Sequence, residues 1–272
     1  VKTIVVGIDD IAQADALIDW VTRFAPGHAT AVEFLQVVDT AANGPITDAM
    51  LGADETRLRE RADAVAEALP GVAVTARVAV GSPVNQLVGA ADSAGFLVIG
   101  SRLRRRDESS RRALRLTTLA RCSVIIIPTD QPSAGNGVVV GVDGAVESEH
   151  AVQFAADLAA QHSERLLVVH AREGGRRGRP QATGSAAGED TARRAISDSI
   201  VGLDTRYPDL VVETLIRDER PDVALKRSAA GCRMLVVGSR SRHGLAHSLL
   251  GSVSETLVGE LPAPMAVIRP TP

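Results

Sequence analysis

Short apolar runs rich in Val and Ile recur along the chain, bounded by turn residues and separated by stretches whose apolar positions repeat at helical spacing. VKTIVVGI (1–8), VEFLQVV (32–38), FLVIGSR (96–102) and SVIIIP (123–128) suit strands buried on both faces, as a parallel sheet with helices on either side requires. Leu17, Trp20, Val21 and Phe24 fall at i, i+3, i+4 and i+7, one face of an amphipathic helix. The alternation predicts β-α-β-α-β-α-β-α-β, an open α/β sheet.

The same pattern is written twice. KTIVVGIDD (2–10) returns as GVVVGVDGA (137–145), which places Asp9 opposite Asp143, 134 positions on. That offset carries the helical stripe onto Ala151, Phe154, Ala155 and Leu158, and sets Gln36 opposite His170 and Val37 opposite Ala171. FLVIGSR then matches MLVVGSR (234–240) and SVIIIP matches MAVIRP (265–270), so the second copy has longer loops. A repeat of this length makes each copy one domain. The polar, Pro- and Gly-containing TDQPSAGN (129–136) joins them, giving expected domains of 1–131 and 135–272.

In open parallel sheets, ligands settle beyond the carboxyl ends of the strands where the connection order reverses. In the second copy those ends are Gly141-Val142-Asp143 and Gly238-Ser239-Arg240-Ser241. Glycine lets backbone approach a ligand, and the N–H groups opening a helix attract anions. Gly251-Ser252-Val253-Ser254 opens such a helix, and Arg240, Arg242 and His243 precede it in a long loop. Together they suggest a phosphate seat. Ser252-Val-Ser-Glu255 also fits the S-x-x-E capping box, which would explain Ser252 without a ligand. A cap, however, requires neither Gly238 and Gly251 nor an Arg/His loop. Asp143-Gly144 likewise fits a turn as well as a binding position.

The spacing Gly238, two residues, Ser241, nine residues, Gly251-Ser252 resembles the G-x2-G-x9-G-[S/T] nucleotide signature of the universal stress protein family, with Ser241 at the second glycine. The opening VVVGVDGA and the VVGSRSRHG segment agree with it, and the resemblance spans nearly the whole chain. It implies two tandem five-stranded parallel sheets of order 3-2-1-4-5 flanked by helices, a Rossmann-like α/β fold. It also implies ATP or another adenine nucleotide as ligand, with or without Mg2+. Gly141 and Asp143 would lie by the adenosine, Ala171 by the adenine, and Gly238 through Ser254 would hold ribose and phosphates, with Val253 and Ser254 in the first helical turn. The resemblance further implies a stress-response regulator that acts through nucleotide-dependent conformation or an unknown protein partner. The two domains would form an intrachain pseudo-dimer, with whole chains associating as a dimer. The first copy keeps Gly7, Asp9 and Gly100 but has Leu103 at the second glycine and Ser109-Ser110 opposite Gly251-Ser252, a degenerate motif. Its Arg102, Arg104, Arg105 and Arg106 are expected in a charged, solvated loop.

Composition narrows the alternatives. With 30 Lys+Arg against 33 Asp+Glu and 2% aromatic residues, the chain has neither the basic excess nor the stacking platform of a nucleic-acid binder. No apolar run approaches the roughly 18 residues of a membrane span, and no signal-type segment opens the sequence. Cys122 and Cys232 lack metal or disulfide spacing, consistent with a reducing cytoplasm. The G-x4-G-K-[ST] loop, a G-x-G-x-x-G after either first strand, and a G-x-S-x-G elbow are absent, and no catalytic base, nucleophile or metal cluster is assignable. Binding is therefore the expected function, with slow ATP hydrolysis or a nucleotide-free protein-interaction module as the alternatives.

Overall fold

The structure, a computed structural model, describes residues 2–10, 14–39, 47–102, 107–130, 135–172, 186–239 and 250–270. The chain divides between residues 133 and 134 into two compact units. The first runs β1 (Thr3–Ile8), α1 (Asp15–Phe24), β2 (Ala31–Val38), α2 (Asp48–Ala68), β3 (Ala73–Val80), α3 (Pro83–Ala91), β4 (Phe96–Ser101), α4 (Glu108–Leu119) and β5 (Ser123–Pro128). Its strands are parallel in the order β3-β2-β1-β4-β5.

The second unit repeats the plan with β6 (Val138–Gly141), α5 (Val146–Gln161), β7 (Leu166–Ala171), α6 (Ala186–Ser199), the single turn α7 (Leu203–Arg206), β8 (Val212–Arg217), α8 (Pro221–Ser228), β9 (Met234–Gly238), α9 (Ser252–Glu260) and β10 (Met265–Ile268). Its strand order, β8-β7-β6-β9-β10, is again 3-2-1-4-5 in its own numbering, all parallel. In each unit the chain leaves the first strand for one side of the sheet and later returns to pair on the other. The end of the first strand is therefore the switch point.

The helical stripes lie where their periodicity puts them. Leu17, Trp20, Val21 and Phe24 are buried under α1, and Ala151, Phe154, Ala155 and Leu158 under α5. Burial on both faces holds for the interior strands β1 and β4 and for β5, and fails at β3 and β8. β3 and β8 alternate or stay partly exposed, because an edge strand has a neighbour on one side and incomplete helical cover. Among the described residues no helix is long and apolar enough to cross a membrane.

Both switch points use glycine for packing. A Cβ on Gly7 would meet Leu87 of α3 at 2.9 Å, and one on Gly141 would meet Leu225 of α8 at 2.9 Å. The missing side chain is thus taken up by the crossover helix, which lies close against the strand end.

The start of the second sheet is separately anchored. Glu164 accepts from the Gly137 N–H at 2.7 Å and from Arg233 Nε at 2.8 Å, which ties the first residues of this unit to the turn before β9. Burial opposes the charge on Glu164, but Arg233 and the Gly137 N–H outweigh it and hold the carboxyl below its ordinary value.

Candidate functional site at the strand ends

In the second unit, the ends of β6, β7 and β9 and the start of α9 bring together Gly141, Asp143, Ala171, Gly238 and Gly251 through Ser254. Arg240, Ser241, Arg242 and His243 lie outside the described residues, as does the Gly/Arg run at 174–180.

Asp143 closes a turn. Its Oδ1 accepts from the Ala145 N–H at 3.0 Å and the Ser148 hydroxyl at 2.8 Å, while its own N–H donates to Ser148 Oγ at 3.2 Å. Gly144 at φ +77° supplies the left-handed step such a turn needs. The turn reading of Asp143 therefore has a full set of partners, and Ser148, buried at the start of α5, is the residue that sequence reasoning missed. At the neighbouring strand end, His170 lies 2.9 Å from the Val142 carbonyl through Nδ1. A carbonyl only accepts, so Nδ1 carries the proton in the neutral ring. Burial lowers the His170 pKa, seconded by Arg172, while the Val142 bond and Asp143 act the other way. Ala171 ends β7 opposite Arg217, and Arg172 behind it pairs with Asp218.

Gly251, buried, is the N-cap of α9, with extended φ −73° and ψ 150°, and among the described residues no side chain caps the helix. The capping-box expectation is corrected here: Ser252 is the first helical residue, one position too late to cap. The first intrahelical amide bond runs from Glu255 N–H to Gly251 O at 2.8 Å. The amides of Ser252, Val253 and Ser254 thus precede the helical ladder and have no acceptor within it. Such a turn carries the positive end of the helix dipole and favours an anion. The Gly251 N–H is already used, donating to Ser239 O at 2.8 Å and tying the start of α9 to the end of β9. The Ser254 hydroxyl is turned inward and donates to Gly238 O at 2.9 Å. Of the two hydroxyls expected at this turn, Ser252 is the exposed one.

The first unit has a cleft of about 420 Å³ at the corresponding strand ends. Asp9 and Asp10 border it beyond β1, Leu17 from α1, Arg102 beyond β4, and Asp107 and Glu108 at the start of α4. Asp107 is the N-cap of α4 as Gly251 is of α9, but α4 is the longer helix, 12 residues against 9. Ser110 and Ser254 are each the third residue of their helix and each buried. Asp107 Oδ1 accepts from the Ser110 N–H at 3.1 Å and the Ser110 hydroxyl at 3.4 Å, with Arg102 at 3.7 Å. The Ser110 amide, chiefly, holds its carboxyl below the usual range, with Ser109, Arg102 and the Ser110 hydroxyl adding to that and burial opposing it. Arg112, one turn further, pairs with Asp9 at 2.7 Å and reaches Glu108 at 3.8 Å.

Two doubly wound parallel sheets in tandem, each of order 3-2-1-4-5, define a Rossmann-like type of α/β protein. Comparison with known proteins makes the class specific. The family model described as "Universal stress protein family" matches residues 1–128 and again 136–269, and the chain belongs to that family. A universal stress protein of Mycolicibacterium smegmatis is 27% identical, over 98% of this chain and 97% of its own length. One of Mycobacterium tuberculosis is 29% identical, over 98% and 96%. The crystal structure of a universal stress protein from Archaeoglobus fulgidus superposes with a TM-score of 0.68 at 18% identity, covering 98% of this chain and 96% of that one.

Proposed function

We propose that the second unit binds an adenine nucleotide at these strand ends and that the chain acts as a stress-response regulator through the conformation or partner surface that the nucleotide favours. The observation that carries this reading is the start of α9: a glycine N-cap with no side-chain cap among the described residues and three successive amides ahead of the helical ladder. In sequence that turn follows closely on Arg240, Arg242 and His243, which lie outside the described residues. The family resemblance supplies the adenine, with Ala171 and the Asp143 turn as its neighbours. Among the described residues no group of His, Cys, Asp or Glu is placed to hold a metal, so Mg2+ would arrive on the phosphates. Regulation then requires only that the ligand bind one conformation better than another.

A second reading has its own support. Gly141 is accounted for by Leu225, Asp143 by its turn, and the Ser254 hydroxyl by Gly238 O, which is how a nucleotide-free interaction module would look. A thermal-shift series separates the two. Ligand at about 100 times its dissociation constant stabilises the native state by about 2.7 kcal/mol. Nucleotide binding therefore gives a rising melting temperature with ATP, ADP, AMP or cyclic AMP, and a flat response to all four at millimolar concentration leaves the interaction module. Mass spectrometry of gently purified protein would identify a retained nucleotide directly.

A further inference from the structure

We propose that Asp107 sets the ligand selectivity of the first unit: its carboxylate stands over the first turn of α4 as a built-in anion and keeps phosphate out of the cleft below. The cleft, at about 420 Å³, has the size of a small-molecule site. Among the described residues, the carboxylates of Asp9, Asp10, Asp107 and Glu108 border it together with Arg102. That cation lies 3.7 Å from Asp107, and the nearby Arg112 is held by Asp9 and Glu108.

Several polar groups a phosphate could use are engaged by protein. The Ser110 amide and hydroxyl both face Asp107 Oδ1, and the Ser109 hydroxyl lies 3.2 Å from Ser101 Oγ and accepts from the Arg102 N–H at 3.3 Å. A carboxylate held below its usual pKa keeps its charge through the physiological range. The N-cap of α9 is Gly251, which has neither charge nor side chain. The two helices thus differ at the N-cap, and they differ in the sense that matters for an anion.

The test uses the full chain and ATP as probe, with Asp107→Gly, the N-cap residue of α9, and Asp107→Asn. Asn keeps an N-cap oxygen, so the second variant retains the helix start while losing the charge. Equilibrium dialysis at millimolar ATP counts nucleotides per chain. Trp20, the single tryptophan, sits on α1 beside the cleft-lining Leu17 and assigns any gained site to the first unit by its emission. The expected result is about one additional ATP per chain in either variant, with a saturable Trp20 change absent from the wild type. A gain in Asp107→Gly alone assigns the exclusion to the side chain's bulk, and a gain in Asp107→Asn to its charge. Wild-type protein that already shows the Trp20 change, or two variants that both gain nothing, overturns the proposal. The inference uses the nucleotide reading of the second unit only for its comparison. Wild-type protein that binds no ATP at all would refute that reading and leave the Trp20 test of Asp107 intact.

Discussion

The helix that follows the fourth strand begins under a carboxylate in the first repeat and at a bare glycine in the second. Asp107 satisfies a donor of the first turn of α4, whereas α9 has no side-chain cap among the described residues. The strand order and the packing glycines Gly7 and Gly141 are the same in both halves. The contrast teaches that a duplicated α/β frame can keep its strand order and packing glycines while its helix starts diverge. Gly7 and Gly141 belong to that frame, and Asp107 to a helix start that differs. The experiments that follow break or sharpen that division.

The largest expected effect falls on the frame. Glu164 and Arg233 have Thr30 and Gly95 in their places in the first repeat, so this anchor belongs to the second unit alone. Glu164→Ala strands a partly buried Arg233 and removes the acceptor of the Gly137 N–H, and is expected to cost about 3–5 kcal/mol. Thr30 is exposed, and Thr30→Ala should stay within about 0.5 kcal/mol. In urea, the Glu164 variant should lose far-UV circular dichroism before the Trp20 signal of the first unit changes. A single coincident transition at wild-type midpoint would show that the anchor carries no such stability. The anchor also has a pH sign. The folded carboxyl lies below its unfolded value, so its contribution is present above the unfolded value and lost as pH falls through the folded one.

Next come the helix starts, approached from the opposite direction to the Asp107 variants. Gly251→Asp gives α9 the cap that α4 already has, and N-cap Asp costs a helix nothing relative to Gly. The variant should fold at least as well as wild type and lose the thermal shift produced by ATP, a change of about 2.7 kcal/mol when ligand is near 100 times its dissociation constant. A retained shift would mean that nucleotide, if bound, does not use this turn.

These sites also show how much could be read in advance. The strands and helical stripes were legible because burial on a sheet or under a helix imposes a period on apolar residues, and Leu17 through Phe24 and their partners keep it. The repeat fixed the pairing of Asp9 with Asp143, but α4 has 12 residues against 9 in α9. A constant offset therefore does not carry one helix start onto the other, and Asp107 was passed over although an Asp ahead of a helix is itself a cap signal. Ser148 was missed for a similar reason, since Ala14 stands in its place and Asp9 turns to Arg112 instead. S-x-x-E at 252–255 has the composition of a capping box and misses by one residue of helix start. Nor does a glycine at a strand end declare what fills the space of its missing side chain, and here Leu87 and Leu225 do.

That last point predicts matched effects in the two units. Gly7→Ala and Gly141→Ala each push a Cβ to 2.9 Å from a leucine methyl, and over-packing of this kind costs about 1–3 kcal/mol. The leucine tip is the part that must yield, so Gly141→Ala combined with Leu225→Ala should cost less than the sum of the two single changes, and the same holds for Gly7 with Leu87. Strict additivity in both pairs would place the role of these glycines in the ligand crevice after all.

The smallest effect compares Gln36 with His170, which occupy the same position of the repeat, one unable to titrate and the other able. Burial lowers the folded pKa of His170, whose Nδ1–H donates to the Val142 carbonyl with Arg172 adding to the shift. In the unfolded chain the ring takes a proton near the ordinary histidine value of about 6.5. Between that value and the lower folded one, the unfolded state binds more protons than the native state, so stability falls as pH falls. The contribution of neutral His170 is complete above the unfolded value and is withdrawn below it. His170→Gln removes this slope, and whatever constant cost the new amide brings is the same at every pH. The loss of urea midpoint on going from pH about 7.5 to about 5.5 should therefore be smaller in the variant than in wild type. Parallel pH profiles would mean that the folded protein accepts the proton at His170 as readily as the unfolded chain does, and that the second repeat's strand-end histidine is no more than the first repeat's glutamine in another form.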